Sequence, residues 1–385
     1  MKKGFCDFQE LNFTYFDYAA TTFMPKRVAE KQWYYNTNIA VSAGRGKGKL
    51  ANIADYEMQR ARKEIKDFFW NSDDYELIFY RGATYALNEI ALSIEHMISP
   101  MDIILLGPYE HHSNLLPWRE LAHRTGAIVF EMPLLEDGTI NGSYLEEIKD
   151  RIRIIAFSSV SNSNGYRLSV EEVGELINDD VFVIVDDSQL CGHGRIECSN
   201  KIDCHIVNSH KMYGPKGVAG ALVSKRMIDI MKPCVFGGGM IERIGFPNRW
   251  KDGVEKFESG TIDLASIVAW RESCNYLIEM NLGELRKEEC KYHDLVEHRL
   301  RNNAQIEIIS DCRTKSLLSF VHKSKHAHDI DERFSEHGII VRTGHLCSQN
   351  SVAKYGMNPI VRISFGASVD EQDIDKLMEA IEIYL

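Results

Sequence analysis

Hydrophobic and polar positions follow two different rhythms along this chain, and the change of rhythm divides it. Met58, Ala61, Ile65 and Phe68 recur at helical spacing, which predicts the buried stripe of an amphipathic helix. Glu76–Tyr80 reads as a strand, and Ala83 to Met97, with Leu87, Ile90, Ala91 and Ile94, as the next helix. Short apolar runs return at Ile103–Leu106, Ile154–Phe157, Val181–Val185, His205–Val207 and Ala219–Val223. Several are near-continuous and β-branched rather than alternating, as expected of strands buried on both faces of a mostly parallel sheet.

Past about residue 277 the pattern changes. Leu285, Tyr292, Val296 and Leu300 mark a long helix. Short strands follow at Ile306–Ile309, Leu317–Val321, Ile339–Val341 and Ile360–Ile363, with a helix near 327–336 and a last helix from about Asp370 to the end. This predicts a small α+β domain over 278–385 attached to a large α/β domain over 15–277, with the segment 1–14 packed against the small one. No repeat, low-complexity tract or Pro/Ser-rich linker separates the two. A cleft between two such domains is a common place for a ligand.

Composition narrows the field of partners. At 385 residues the chain is longer than one core usually supports. With 45 Lys and Arg against 56 Asp and Glu its net charge is −11. That argues against nucleic acid or an anionic membrane as the main partner, since both need a basic face. No apolar run approaches the roughly 20 residues that span a bilayer, and Met1–Glu10 lacks the apolar stretch of a signal peptide. Nine cysteines with no CxxC pair fit reduced thiols better than a disulfide framework. The expectation is a cytoplasmic protein.

The sharpest local signal is Asn208-Ser209-His210-Lys211-Met212-Tyr213-Gly214-Pro215. A lysine directly after a buried strand, once desolvated, has a lowered pKa, and its neutral amine can form a Schiff base with an aldehyde cofactor. A lone lysine in a turn is usually a solvated charge, so its company matters. Upstream, Val183–Val185 ends in Asp186 and Asp187, where a carboxylate can hold a pyridine nitrogen protonated. Gly82-Ala83-Thr84 opens a helix, and its N–H groups with the Thr84 hydroxyl offer a phosphate cup or a simple N-cap. In Glu110-His111-His112-Ser113-Asn114 an imidazole can stack on a flat ring and exchange protons. Arg342-Thr343-Gly344-His345-Leu346-Cys347, with Arg362 beyond, combines carboxylate-binding arginines with a cysteine in an electropositive loop.

Two other patterns are set aside. Gly44-Arg45-Gly46-Lys47-Gly48-Lys49 is glycine-rich and basic, yet it lacks GxxxxGK[ST] and a preceding strand. Cys191, Cys198, Cys204 and His193 match no standard ligand spacing, and no HExxH is present, so no metal site is expected.

Taken in order, several motifs resemble the class V aminotransferase-fold cysteine desulfurases over nearly the whole chain. They are Arg81-Gly82-Ala83-Thr84, Glu110-His111-His112-Ser113-Asn114, Val160-Ser161-Asn162, Val185-Asp186-x-x-Gln189, His210-Lys211-x-Tyr213-Gly214-Pro215, Phe257-Glu258-Ser259-Gly260-Thr261 and Arg342-Thr343-Gly344-His345-x-Cys347. The resemblance is to the group associated with iron–sulfur cluster assembly and selenocysteine lyase activity. It implies fold type I of the pyridoxal phosphate-dependent transferases, with a large, mostly parallel seven-stranded sheet. It also implies release of sulfur from L-cysteine, or selenium from selenocysteine, as alanine forms and a persulfide is left on Cys347.

By that resemblance Lys211 would bind pyridoxal phosphate and later move the Cα proton. Asp186 would pair with the ring nitrogen, Gln189 would reach the ring hydroxyl and His111 would stack on the ring. Ala83, Thr84, Asn208 and His210 would serve the phosphate, with Thr261 contributed by the partner of a homodimer. Asn162 and Arg362 would hold the substrate carboxylate, with Arg342 nearby. A sulfur-acceptor protein is a further implied partner. The chain departs from the pattern at Gly44–Lys47, Tyr85, Asn208, Leu346 and Val369. Most of these lie at the substrate end, which keeps open a C–S lyase, an epimerase or an aminotransferase of the same fold.

Overall fold

The computed structural model describes residues 4–5, 13–44, 46–311, 313–356 and 359–385. Its central sheet has seven strands in the order Tyr75–Tyr80, Ala219–Ser224, Cys204–Asn208, Phe182–Asp186, Ile152–Ser158, Ile103–Leu106, Ile128–Glu131. Only Ala219–Ser224 runs against the others, pairing antiparallel with both neighbours. The remaining neighbours pair in parallel.

The near-continuous apolar runs have their reason in the two covered faces. Ile104, Leu106, Ile154, Ala156 and Ile184 pack beneath the helices Ala83–Ile94 and Leu116–Thr125. Their alternates Ile103, Leu105, Ile155, Val183 and Val185 pack on the opposite side, and Leu77, Phe79 and Leu222 continue that side against Trp270. With both faces dry, most positions along these strands are apolar.

Several elements escape the pattern, and three of them show why. Ile128–Glu131 is an edge strand, only partly buried, so its apolar signal is short. In Lys26–Asn38 only Val28 and Tyr35 are buried, too few to set a rhythm. Leu264–Glu279 is buried on nearly every side, so it has no polar face for the periodicity to show.

The second sheet has four antiparallel strands in the order Ile306–Ile308, Leu317–His322, Ile360–Ser364, Arg342–Gly344. Here the single strand expected at Ile339–Val341 is corrected. Ile339–Ile340 pairs in parallel with Thr14–Tyr15, and the chain then turns to begin a separate strand at Arg342. Cys347 therefore follows the strand Arg342–Gly344. Of the segment 1–14, residues 1–3 and 6–12 lie outside the described residues. Phe5 rests against Tyr213 and Tyr276, with ring centroids 5.9 Å from each.

A strap from Thr14 to Thr22 stitches the two sheets together. Thr14 N–H donates to the Gly338 carbonyl at 2.6 Å, and Ser364 N–H donates to the Phe16 carbonyl at 2.8 Å. At the other end Thr22 N–H donates to the His210 carbonyl at 2.8 Å. The turn holding Lys211 is thereby tied to the small sheet.

Glu258 is anchored under the large sheet by Arg62, whose Nη1 and Nη2 each donate to it at 2.7 Å. The Phe79 N–H adds a third bond at 2.8 Å. Removing one partner of a buried ion pair leaves the other charge uncompensated and costs about 3–5 kcal/mol. Arg62→Met should accordingly lower the unfolding free energy by about 3 kcal/mol in urea titrations. A loss under about 0.5 kcal/mol would mean that the pair does not anchor this segment.

Candidate active site

The site grows from the carboxyl ends of three adjacent parallel strands. Ser158 and Asp186 are register partners, as are Asp186 and Ile206. Each strand leaves the sheet there into a polar turn, carrying Asn162, Gln189 and Lys211 respectively. Such strand ends are where open α/β sheets hold ligands. A cavity of about 450 Å³ lies over them. Ala83, Thr84, His111, Asn162, Asp186, Gln189, Asn208, His210, Lys211, Arg342, Cys347 and Arg362 all line it.

Thr261 does not. It lines a separate cavity of about 260 Å³ with Gly44 and Glu258.

Lys211 is enclosed by protein, and this desolvation lowers its pKa from the ordinary lysine value. Asp186 opposes the shift and Arg362 adds to it. Asp186 is itself buried, and desolvation raises its pKa while Ser188 and Lys211 pull the other way. Its Oδ1 accepts the Ser188 N–H at 3.0 Å. Gln189 is oriented by donating to the Ala19 carbonyl at 2.9 Å.

Burial, and then the neighbouring Lys211, push His111 down to about 3. Its ring is thus neutral at physiological pH. Nδ1 accepts the Ser113 N–H at 3.1 Å, which places the ring proton on Nε2. His210 is likewise lowered, to about 4, by burial and then by Lys211.

The helix Ala83–Ile94, whose first residues Ala83 and Thr84 line the cavity, begins after Gly82 with no side chain capping its first N–H groups. Those donors and the helix dipole form an open anion site. Asn208 Oδ1 is buried without a hydrogen-bond partner among the described residues, and Asn208 lines this cavity.

Cys347 is exposed and sits in left-handed backbone, with φ of 54° at Leu346 and 53° at Cys347. Non-glycine residues adopt that region only where their surroundings hold them. Four bonds do so. His112 N–H donates to the Cys347 carbonyl at 2.7 Å, and His112 Nε2 accepts the Gln349 N–H at 3.2 Å. Asn162 Nδ2 donates to the Leu346 carbonyl at 2.7 Å, and Asn162 Oδ1 accepts from Ser348 at 2.6 Å. Both ends of the Asn162 amide are thus occupied by the cysteine loop.

Three contributors had no readable role in the sequence. Asp17 binds Arg362 and Arg342, which lie hundreds of positions away. His112, next to His111 in the sequence, tethers the cysteine loop. Glu110 is a buried carboxyl that accepts from Ser158 N and Ser158 Oγ at 2.7 Å and from Asn114 Nδ2 at 2.6 Å.

Of the residues set aside earlier, Cys191 is fully buried directly under this site, its thiol donating to the Ser188 carbonyl at 3.4 Å. Burial pushes that thiol up to about 12, and His193 pairs with Glu289 at 2.9 Å. Elsewhere His293, Asp294 and Glu297 converge. There Lys315 already binds Asp294 at 2.8 Å and Arg301 binds Glu297 at 2.6 Å.

Residues 14–377 match the Aminotransferase class-V family. The chain belongs to that family. A class V relative named probable cysteine desulfurase in Halalkalibacterium halodurans is 32% identical, over 97% of this chain and 94% of that protein. Another of that name in Pyrococcus abyssi is 28% identical, over 96% and 93%. Among solved class V structures, the apo cysteine desulfurase of Thermococcus onnurineus has a TM-score of 0.90 at 27% identity, covering 96% of this chain and 94% of that one. The S-sulfonic acid form of an Escherichia coli cysteine desulfurase also reaches 0.90, at 25% identity and 99% and 96% coverage. The expected fold type I architecture is therefore correct, including the seven-stranded sheet.

Burial raises Glu110 from the ordinary 4.5 to about 7. The folded protein then keeps a proton there that the unfolded chain has released, so stability falls as pH rises through this window. Glu110→Gln removes that slope. Between about pH 5 and about pH 8 the unfolding free energy of the variant should gain on the wild type, then run level. A difference constant across the range would show that Glu110 titrates as an ordinary carboxyl.

Proposed function

We propose that the protein is a pyridoxal phosphate-dependent cysteine desulfurase that converts L-cysteine to L-alanine and leaves a persulfide on Cys347. One observation carries this reading: Cys347 lines the same cavity as Lys211 and Asp186. A lysine and an acid alone would serve any enzyme of the fold. A thiol opposite them supplies a sulfur acceptor.

The residues present fit the cofactor. The uncapped helix start at Ala83 and Thr84, with His210 and Asn208, would hold the phosphate. Asp186 would pair with the ring nitrogen, whose positive charge would offset the cost of burying that carboxylate. Gln189 would serve the ring hydroxyl, and neutral His111 would serve the ring itself. Bound through Lys211, the cofactor delocalises the electron pair left when the substrate Cα loses its proton.

Lys211, with its pKa lowered by burial, exchanges that proton as a neutral amine. Arg362, with Arg342 beside it, holds the substrate carboxylate. Asn162 holds the Leu346 and Ser348 loop so that Cys347 faces the cavity. The Cys347 thiolate attacks the substrate sulfur, and the electrons of the broken C–S bond pass to the substrate carbon. That carbon takes up one proton, Cα regains the one it lost, and the product leaves as alanine while the sulfur stays on Cys347.

The reading extends to assembly. Thr261, away from its own chain's cavity, reaches the phosphate of a second copy in a homodimer. Exposed Tyr85, Phe236, Ile244 and Phe246 support such a contact. The chain divides into domains at 15–277 and 278–385, acts in the cytoplasm and hands its sulfur to an acceptor protein. Among the described residues no helix is long and apolar enough to cross a membrane.

The test is a product assay. With L-cysteine and a reductant, the cofactor-loaded protein should release alanine and sulfide in equal amounts. Cys347→Ala should lower both about a hundredfold or more. Pyruvate and ammonia in place of alanine, formed undiminished by Cys347→Ala, would make the protein a C–S lyase.

A further inference from the structure

A second cavity, of about 620 Å³, lies where three helix ends meet. The helices Lys49–Phe69 and Leu264–Glu279 finish there, and Leu282–Arg301 begins there. Phe68, Phe69, Ile196, Leu277, Ile278 and Leu282 give it apolar walls, and His193, Arg195 and Arg286 add polar groups. It shares no lining residue with the active cavity. Apolar walls, a few polar groups and a volume of roughly 300–1,000 Å³ are the usual form of a small-molecule site.

Its charges do not cancel. His193 is 8% exposed, and its Nδ1 lies 2.9 Å from a carboxylate oxygen of Glu289. Arg286 Nη1 donates to the same carboxylate at 3.2 Å, and Asp67 pairs with Lys63. Arg195 forms no ion pair among the described residues, so its charge is left over. Nε2 is the remaining hydrogen-bonding atom of the His193 ring. The first turn of Leu282–Arg301 adds the positive end of a helix dipole. In a chain of net charge −11, an apolar cavity with surplus positive charge selects for an anion.

The turn that carries His193 begins at Gln189, which lines the active cavity. His193 and Gly194 N–H both donate to the Leu190 carbonyl, at 2.9 and 3.0 Å. Within that turn Gly192 rests on the Lys211 carbonyl so closely that a Cβ would lie 2.2 Å from it. A ligand that shifts His193 therefore shifts a segment in contact with Lys211.

We propose that this cavity is an effector site for a small carboxylate borne on an apolar body, and that its occupancy alters the setting of Lys211. The apolar walls take the body, while Arg195 and His193 Nε2 take the carboxylate. The proposal is independent of the desulfurase reading and needs only that Lys211 holds the cofactor.

The probes are phenylpropionate and its uncharged amide, titrated calorimetrically into the cofactor-loaded protein while the absorption of the cofactor is followed. The acid should bind about tenfold more tightly than the amide. Arg195→Gln should bring the acid down to the amide and leave the amide unmoved. Ile278→Trp fills the rim at a side chain 63% exposed, without a change of charge, and should abolish binding of both. Arg342→Met, in the active cavity, should leave both unchanged. The bound acid should shift the cofactor's absorption in wild type and not in Ile278→Trp.

Binding that survives Ile278→Trp, or that falls with Arg342→Met, places the probe in the active cavity and overturns the proposal. So does failure of both probes to bind, the result expected if a second copy of the chain covers the cavity. Equal affinity for acid and amide overturns the choice of an anion. Binding with no change in absorption overturns the effector role.

Discussion

Burying a lysine and a carboxylate at the ends of neighbouring strands is the constraint around which this site is built. Asp186 ends one strand and Lys211 lies just past the end of the next, so adjacency in the sheet sets their distance. Each charge out of water is costly, and each moves the other's pKa in the direction that lessens the cost. The same enclosure keeps His111 and His210 neutral. A cavity with an available amine, neutral rings and one demanding carboxylate suits a cationic ring with a phosphate tail. The net charge of −11 does not oppose this, because the local field comes from a few enclosed groups.

The substrate end depends on a different device. Arg342, Cys347 and Arg362 come from the small sheet, while Lys211 and Asp186 belong to the large one. What joins them is the strap Thr14–Thr22, bonded to Ile339–Ile340, to Ser364 and to the His210 carbonyl. Asp17 lies in that strap, so the residue that pairs with both arginines also belongs to a segment bonded to both sheets. From the other side His112 and Asn162 tether the cysteine loop to the large sheet. Cys347 is thus held by a few hydrogen bonds, not by core packing.

The legible part of the fold was the part whose environment is uniform. Strands with two dry faces announce themselves as Ile103–Leu106 or Val183–Val185, whatever their neighbours. Where burial is mixed the signal fades, as in the edge strand Ile128–Glu131. Where burial is complete it loses its period, as in Leu264–Glu279. The break between Ile340 and Arg342 was invisible because one continuous extended run serves two different sheets.

For the site, the chain alone determined which residue types occur and in which local settings. Lys211 follows a buried strand, Asp186 ends one, Thr84 opens a helix and Cys347 lies among polar neighbours. Those are properties of short range, and short range is what a linear sequence records. Only the tertiary structure decided the pairings: Asp17 with two arginines, His112 and Asn162 with the cysteine loop, and Thr261 apart from the rest. Hydrogen bonds and ion pairs act over a few ångströms, and residues that close are often far apart along the chain. No local pattern marks such partners until the fold brings them together.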